Sequence, residues 1–478
     1  MTGSFVIVLT FVIYMFIVLG VGMYATRFTK TMDDFFLAGR KLGSLVTSIS
    51  SVASSESGWV VLGLVGVAYK EGLSAVWIAP GCLLGYLVNW YFLASRLRKV
   101  SKSMHSLTIP DFLEDKFKDV SHTIRYISVI IIFFSMMGYV GAQFNAAGKA
   151  FDAVFHIKYI NGVLLGASIT IIYTLFGGFR AVSWTDVLQG LMMVFGLVFL
   201  PILSIIHIGG FSNLFHKLYQ IDPALLTLTG KNVGFALVGM VIGYLGIGLG
   251  YPGQPHVVTR YMAANSEDVL KKARLIAITW GIFTYYGAIF LGLSGRVIIP
   301  HLTDPEYTFP NIALKLLSPI LAGVMLAAIL SAIRSTADSQ LLVAASAIAR
   351  DIYQKIFRTN PPEKKLVLIS RLTVLVLGLL SMLLAMTKSR VVFWFVLFAW
   401  SGLGASFGPL ILLSLYWKGI TKWGAVAGMI VGFLTTIVWK LTNLSDKITY
   451  ELVPAFIFAA LSIIIVSLLT RRENVSTG

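Results

Sequence analysis

The feature that most constrains this chain is a series of long apolar runs separated by short polar segments. A helix needs roughly 20 mostly apolar residues to cross the hydrocarbon core of a bilayer. With 57% hydrophobic and only 12% charged residues, the composition excludes a soluble globular domain and a disordered chain. The runs predict an all-α polytopic membrane protein with about thirteen spans, at 5–25, 43–69, 75–95, 126–148, 160–176, 184–206, 233–251, 275–295, 317–347, 372–386, 392–416, 423–439 and 451–470.

The distribution of lysine and arginine predicts which side of the membrane each loop faces. A formal charge of +17 would suggest nucleic acid as a partner of a soluble protein. Here most basic residues lie in alternate loops between the runs, as in 96–125 and 348–371, and Arg260 is placed in such a loop. Because cytoplasmic loops are enriched in basic residues, we expect an outside N-terminus and a cytoplasmic C-terminus. The expected partner is the lipid bilayer, with no nucleic acid.

Two of the runs contain too many small and helix-breaking residues for ordinary membrane helices. The second run includes the serine-rich stretch 48–59, and the seventh ends in the glycine- and proline-rich stretch 246–255. Irregular backbone survives at membrane depth only where protein or a water-filled cavity lines it. Two such breaks five spans apart are typical of an inverted five-plus-five repeat, with substrate and ion sites at the unwound points. The alternative is close helix packing through small residues.

Four ionisable residues lie inside the runs: Glu56, Asp186, Arg334 and Asp338. Such groups are costly in a membrane and mark ion paths or internal pairs. Arg334 and Asp338 share one face of the ninth run at i and i+4, which predicts an ion pair. Another face of that run is rich in hydroxyl groups and suits a hard cation: Ala332, Ser335, Thr336 and Ser339.

Three aromatic residues lie close to these features. Trp59 follows the first break and Tyr251 lies in the second, while Tyr139 lies among the glycines of the fourth run. An apolar wall with a polar tip helps to hold a small zwitterion. Tryptophan and tyrosine are also common packing residues in membranes, and for Tyr139 both interpretations stay open.

Several further motifs lie in order along nearly the whole chain. They are Asp33-Asp34-Phe35 with Gly39-Arg40, Ser57-Gly58-Trp59, Gly177-Gly178-Phe179 with 181–186 and Gln189, Gly248 and Gly250-Tyr251 with 253–256, Ser335-Thr336 with 340–342, and Gly402 and Gly404 with Phe407-Gly408-Pro409. In these motifs the chain resembles the sodium:solute symporter family, and within it the sodium/proline symporters.

The resemblance implies one transmembrane transporter domain over 1–478 in a plasma membrane, a bacterial inner membrane. An extra helix at 5–25 would precede a LeuT-type inverted-repeat core at 43–416, and two C-terminal helices would follow at 423–470. The expected activity is secondary active transport of proline or a related small amino acid, with sodium as the co-transported ion and no organic cofactor. The chain is not expected to be an enzyme.

Site residues follow from the same resemblance. The main sodium site would use two hydroxyls and three backbone carbonyls, those of Ser335, Thr336, Ala53, Glu56 and Ala332. The substrate site would involve Ser57, Gly58, Trp59, Tyr139, Ile247 and Tyr251. Asp186 matches a family acid that contributes to a second cation position in some members.

The sequence departs from the proline symporters at several of these positions. Ser55 stands where they usually have aspartate, and the acid is displaced to Glu56. Ile247 stands where they typically have tryptophan. Arg334 and Asp338 replace an apolar and a small residue.

These departures keep alternatives open. One is a proton-coupled amino-acid transporter, or an ion-independent exchanger in which Arg334 replaces the cation. A membrane sensor or channel is a remote alternative, because no soluble signalling domain fits between the runs and the polar residues cluster near two breaks. The sequence leaves stoichiometry, oligomeric state and nutritional or osmoprotective role open.

Overall fold

The computed structural model describes residues 3–28, 32–357, 361–387 and 390–471. These residues are folded almost entirely into helices, and the pairing of strands among them is limited to one isolated bridge between Leu42 and Ala264. The first eleven α-helices are α1 (Gly3–Thr26), α2 (Met32–Leu37), α3 (Ser44–Ser55), α4 (Val65–Glu71), α5 (Ile78–Leu87), α6 (Ala94–Ser103), α7 (Ile109–Phe117), α8 (Thr123–Phe155), α9 (Tyr159–Phe176), α10 (Phe179–Ile208) and α11 (Phe211–Ile221).

The second half of the chain continues the same pattern of long helices with short connections. Its helices are α12 (Gly234–Gly246), α13 (Pro255–Ala263), α14 (Glu267–Ile298), α15 (Thr308–Leu316), α16 (Pro319–Ser346), α17 (Glu363–Thr387), α18 (Val392–Tyr416), α19 (Lys422–Leu441), α20 (Leu444–Lys447) and α21 (Leu452–Thr470).

Within the described residues, eleven helical stretches are long and apolar enough to cross a membrane. Helices lie over all thirteen predicted runs. The count is lower because the second and third runs meet in one continuous stretch, Trp59–Ser103, and the fifth is the shorter apolar helix Tyr159–Leu175. The all-α polytopic prediction is confirmed, whereas the number of crossings and the sides of the termini stay predictions.

Both predicted helix breaks are present. The helix α3 ends at Ser55, Glu56 leaves the helical region with φ −97° and ψ 80°, and a π-helical turn begins at Trp59. The helix α12 ends at Gly246, and a 3₁₀ segment, Ile247–Gly253, leads to α13. The second and seventh predicted spans are therefore each a pair of half-helices joined by irregular backbone. The prediction of two interrupted spans is confirmed.

The half-helices lie at the centre of the helix assembly. The helix α3 packs against α10, α13, α14 and α16, while the segment Ile247–Gly253 lies between α5 and α18. The extra helix α1 packs on α10 and α16, and α19 and α21 pack on each other and on α18. The two breaks are thus enclosed by the long helices around them.

Polar contacts fix the ends of the half-helices. The amide of Leu42 donates to the Ala263 carbonyl (3.2 Å), and the Leu42 carbonyl accepts from the Asn265 amide (3.0 Å). Nη1 of Arg40 donates to the Met262 carbonyl (2.9 Å), and Nε of Arg98 to the Ala264 carbonyl (2.7 Å). The approach to α3 and the end of α13 are therefore held together by paired backbone groups.

The second break approaches α5 so closely that it excludes a side chain. A Cβ atom at Gly248 would lie 2.0 Å from the carbonyl oxygen of Gly81. We expect Gly248→Ala to lower the free energy of unfolding by at least about 1–3 kcal/mol, because one backbone must shift. The measurement is thermal unfolding of the purified protein together with its abundance in membranes.

Gly20→Ala is the matched control, because a Cβ atom there meets nothing within 4 Å. Equal stability of the two variants would show that the close approach at Gly248 does not constrain the fold.

Candidate functional site

A cluster of oxygen atoms lies where α3 meets α16. The Ser335 hydroxyl donates to the carbonyls of Ala53 (2.9 Å) and Ala332 (3.2 Å). The Thr336 hydroxyl lies 3.3 Å from the Ala53 carbonyl and 3.1 Å from the Ser54 carbonyl. Four of the five predicted sodium ligands therefore meet in one buried place. Hydroxyl and carbonyl oxygens are ligands that suit a small hard cation.

Glu56, whose carbonyl is the fifth predicted ligand, directs its side chain toward α5 and α14. The Tyr86 hydroxyl donates to Oε1 (2.7 Å) and the Trp280 indole N–H to Oε2 (3.1 Å). The Ser55 hydroxyl bonds the Val52 carbonyl (2.9 Å) and lies 3.1 Å from the Tyr86 hydroxyl. The carboxylate is fully buried but has two donors. Sequence reasoning missed Tyr86 and Trp280, because both lie in apolar runs where aromatic residues usually indicate packing.

The second break is lined by aromatic residues from three helices. The hydroxyls of Tyr251 and Tyr285 are 2.6 Å apart, and the Tyr285 hydroxyl donates to that of Tyr86 (3.2 Å). The Tyr251 ring has its centroid 4.8 Å from each of the Tyr86 and Trp400 rings. The Trp400 indole N–H donates to the Ile247 carbonyl (3.1 Å). Trp400 and Tyr285 belong to this wall, although no feature of the sequence indicated either residue.

The first break faces the same wall. The Trp59 indole N–H donates to the Ser55 carbonyl (2.9 Å), and its ring centroid lies 6.0 Å from that of Tyr285. The Gly58 amide donates to Oε1 of Gln143 on α8 (3.1 Å). The structure therefore brings Trp59 of the first break and Tyr251 of the second to a shared neighbour, Tyr285.

Tyr139 on α8 lies beside this group. Its ring centroid is 6.3 Å from that of Trp400. Its hydroxyl lies close to Ser57, and no described residue forms a well-aligned hydrogen bond with it. A buried hydroxyl without a partner is costly, so this tyrosine has an unused donor facing the first break.

Asp186 on α10 pairs with an arginine that sequence reasoning misplaced. Its Oδ2 accepts from the Ser50 hydroxyl (2.6 Å) and from Nη2 of Arg260 (3.1 Å), and both charged side chains are fully buried. The placement of Arg260 in a loop between the runs is wrong. The residue lies on α13, which is only nine residues long and follows the second break, so no hydrophobic run marked it as part of the core.

The predicted ion pair of Arg334 with Asp338 is not formed among the described residues. The Arg334 guanidinium lies 4.1 Å from the Tyr173 ring centroid. With the Gln189 amide oriented so that its oxygen faces the guanidinium, Nε and Nη2 of Arg334 donate to that oxygen at 3.0 and 2.9 Å. Asp338 is fully buried, and neither of its carboxylate oxygens has a hydrogen-bond partner in the part of the chain that the structure describes. The prediction failed because Arg334 contacts the Gln189 amide and the Tyr173 ring on neighbouring helices instead of Asp338 one turn away.

A buried ion cluster is linked to Trp59 through Phe393 of α18. Lys149 Nζ is 2.6 Å from Oε2 of Glu306, whose carboxylate also accepts the backbone N–H groups of Val392 (3.0 Å) and Phe393 (3.1 Å). The Phe393 ring centroid lies 6.0 Å from that of Trp59. Glu306 thus fixes the first turn of α18 and, through it, the position of the Phe393 ring beside Trp59.

The two donors on Glu56 predict a large stability effect. Tyr86→Phe should lower the free energy of unfolding by about 1–3 kcal/mol, because a buried carboxylate oxygen loses its hydrogen bond. The measurement is thermal unfolding in detergent, compared with Tyr219→Phe, whose ring is exposed on α11. If both substitutions shift the unfolding temperature equally, Tyr86 does not hold the carboxylate.

Comparisons with known proteins agree with this architecture. The model of the sodium:solute symporter family matches residues 35–432. The high-affinity proline transporter PutP of Bacillus subtilis (strain 168) is 40% identical over 95% of this chain and 96% of its own length. The sodium/proline symporter of Escherichia coli (strain K12) is 39% identical over 97% of this chain and 93% of its own length.

Solved structures share the fold. A sodium-coupled sialic acid symporter in its substrate-bound outward-open state superposes with a TM-score of 0.80 at 22% identity, covering 97% of this chain and 98% of that one. Mhp1, a nucleobase-cation-symport-1 family transporter in a closed conformation, gives a TM-score of 0.55 at 14% identity, covering 93% of this chain and 96% of that one.

Proposed function

The chain belongs to the sodium:solute symporter family, and we propose that it is a secondary active transporter that couples inward sodium movement to uptake of proline or a closely related small amino acid. It is a multi-pass membrane protein, and its bacterial relatives place it in the plasma membrane. The observation that carries the proposal is the cluster of hydroxyl and carbonyl oxygens beside the first break. Relatives of about 40% identity that are named proline transporters support the substrate.

We propose the oxygen cluster as the sodium site, formed by the hydroxyls of Ser335 and Thr336 and the carbonyls of Ala53, Glu56 and Ala332. In the structure the hydroxyls bond these carbonyls directly. A sodium ion would replace those bonds by ion–oxygen contacts and so join α3 to α16. Ion binding would thereby order the end of α3, one residue before the residues assigned to the substrate.

The substrate site proposed here lies between the two breaks. Trp59, Tyr251 and Ile247 would pack against the apolar ring of proline, while Ser57, Gly58 and Tyr139 offer polar groups near its charged ends. The unpaired Tyr139 hydroxyl is a donor available to a carboxylate. Proline has little surface, so a wall of preformed aromatic groups provides most of its contact area.

These two sites predict coupling through alternating access. Sodium would stabilise the state in which the end of α3 is ordered, and substrate would then close the site between the breaks. By linkage, sodium raises the affinity for substrate by the same factor as substrate raises the affinity for sodium.

We assign the inverted-repeat core to 43–416, with 5–25 and 423–470 as flanking helices of one domain.

The position of Arg334 argues against its acting as a substitute cation. Its guanidinium is held by Gln189 and Tyr173, whereas the sodium ligands lie on the Ser335 and Thr336 face of α16. The remaining alternative is proton coupling through Glu56 or Asp186. It differs from sodium coupling in the gradient that drives accumulation.

Uptake of radiolabelled proline into proteoliposomes tests the function directly. We expect accumulation with an imposed inward sodium gradient and little uptake with a proton gradient or with no gradient. Uptake driven by protons alone, or seen only as exchange, would contradict sodium coupling. Absence of proline uptake under every gradient would contradict the assignment of proline as the substrate. Ile247, which replaces the tryptophan typical of proline symporters, would then be the first residue to examine.

The sodium ligands can be tested by removing single hydroxyls. Ser335→Ala and Thr336→Ala should each raise the sodium concentration for half-maximal uptake about tenfold or more, since a lost ligand of about 1.4 kcal/mol corresponds to a factor of ten. Sodium activation of uptake is the measurement. Ser346→Ala on the same helix is the control, because among the described residues its hydroxyl bonds only the Val343 carbonyl of its own helix (2.7 Å). Unchanged sodium activation in both test variants would contradict the assignment of Ser335 and Thr336 as sodium ligands.

Trp59 can be separated from ordinary packing residues in the same way. Trp59→Ala should raise the proline concentration for half-maximal uptake about tenfold, because an aromatic contact of roughly 1–1.5 kcal/mol is lost. Trp423→Ala serves as the control, since that ring is half exposed. An unchanged half-saturation value for Trp59→Ala, with normal abundance in the membrane, would identify Trp59 as a packing residue.

A further inference from the structure

Four buried side chains form a series of hydrogen bonds from the first break to the second. Oε1 of Glu56 accepts from the Tyr86 hydroxyl (2.7 Å), which accepts in turn from the Tyr285 hydroxyl (3.2 Å). The hydroxyls of Tyr285 and Tyr251 are 2.6 Å apart. Glu56 follows the end of α3, the next two residues belong to α5 and α14, and Tyr251 lies in the second break. We refer to Tyr86, Tyr285 and Tyr251 as the tyrosine bridge.

Close packing leaves the tyrosine bridge little freedom to rearrange. The Tyr251 ring centroid lies 4.8 Å from that of Tyr86. A Cβ atom at Gly85 would lie 2.4 Å from Cδ2 of Tyr251, so the Tyr251 ring lies directly against the backbone of α5. At the other end, the Trp280 indole N–H donates to Oε2 of Glu56 (3.1 Å). A buried polar group that loses its partner is costly, and bonds in a buried network strengthen one another, so we expect the bonds of the bridge to form and break together.

Glu56 belongs to both proposed sites through different atoms. Its backbone carbonyl is assigned to the sodium site, while its side chain contacts the tyrosine bridge. The residue lies just beyond the end of α3, with φ −97° and ψ 80°, where the helix no longer fixes the direction of the carbonyl. A sodium ion on this carbonyl would restrict rotation of the backbone. The direction of the Glu56 side chain depends on the same backbone atoms, so ion binding would also fix the carboxylate relative to Tyr86.

We propose that Glu56 couples the two sites: sodium fixes its backbone, and its carboxylate, acting through the tyrosine bridge, holds Tyr251 where the substrate packs. This inference rests on the proposed function. Glu56 is thus a positioning residue for the substrate, because it acts on the substrate wall through other side chains. Sodium and substrate favour the same arrangement of the bridge, so an intact bridge makes each ligand bind more tightly in the presence of the other.

Equilibrium binding of radiolabelled proline to the purified protein, at saturating sodium and with choline in place of sodium, tests this proposal. The ratio of the two dissociation constants is the coupling factor. We expect Tyr285→Phe, which removes the middle hydroxyl and keeps the ring, to lower this factor about fivefold, since one hydrogen bond has a net value of about 1 kcal/mol. The loss of a wall contact alone would weaken proline binding equally in both conditions and leave the factor unchanged.

Tyr286→Phe is the matched control. Tyr286 is the next residue of α14 and is partly buried, but its hydroxyl takes no part in the tyrosine bridge, so the coupling factor of this variant should equal that of the wild type. Tyr86→Phe interrupts the bridge one step closer to Glu56 and should lower the factor as much as Tyr285→Phe does. The double variant should show no further fall, because either substitution alone disconnects the carboxylate from Tyr251.

A wild-type coupling factor in folded Tyr285→Phe protein would overturn the proposal, as would an equal fall in Tyr286→Phe or additive falls in the two bridge variants. If Tyr285→Phe does not fold, Tyr86→Phe decides by the same comparison with the wild type. Proline binding that does not depend on sodium in the wild type would instead overturn the proposed function, and this inference with it.

Discussion

The structure depends on satisfying backbone groups that two broken helices leave unpaired at membrane depth. In hydrocarbon each unpaired group costs several kcal/mol, and here the groups are claimed by side chains. The Ala53 carbonyl accepts from two hydroxyls on α16, the Ser55 carbonyl from the Trp59 indole, and the Ile247 carbonyl from the Trp400 indole. The side chains that make the breaks tolerable are thus the ones that line the proposed site, so stability and function depend on the same contacts.

If sodium binds at the proposed site, this arrangement explains how the ion can alter the position of a helix. The hydroxyls of Ser335 and Thr336 hold the end of α3 through single hydrogen bonds, each with a net value of about 1 kcal/mol. Such contacts are weak enough to exchange for an ion and specific enough to define where it binds. The charged groups beside them are fixed differently: Asp186 is held by Ser50 and Arg260, and Glu56 by Tyr86 and Trp280. The hydroxyl and carbonyl oxygens that could exchange for an ion are therefore distinct from the two carboxylates, Asp186 and Glu56, which are held in fixed positions.

The sequence predicted the breaks because glycine, proline and serine have local effects on the backbone, and the resemblance predicted the hydroxyl ligands on α16. Neither the sequence nor the resemblance predicted the hydrogen-bond partners that distant helices contribute to the breaks. Trp400 and Tyr86 lie in apolar runs, where an aromatic residue has the same pattern whether it packs against lipid or binds a backbone carbonyl. The i, i+4 spacing of Arg334 and Asp338 gave a wrong ion pair, since the spacing contains no information on Gln189 and Tyr173 from neighbouring helices.

The departure at Ile247 acquires a physical meaning from Trp400. The backbone of Ile247 accepts the Trp400 indole N–H, and the indole ring lies edge-on to Tyr251 at 4.8 Å. At the second break α18 therefore adds an indole ring to the aromatic surface that Tyr251 of the unwound segment already provides. A Cβ atom on Gly250 would lie 1.9 Å from the Trp400 indole nitrogen, so the ring reaches this position only because residue 250 lacks a side chain. An aliphatic residue at 247 is compatible with an aromatic substrate wall, provided that Gly250 and Trp400 are both present.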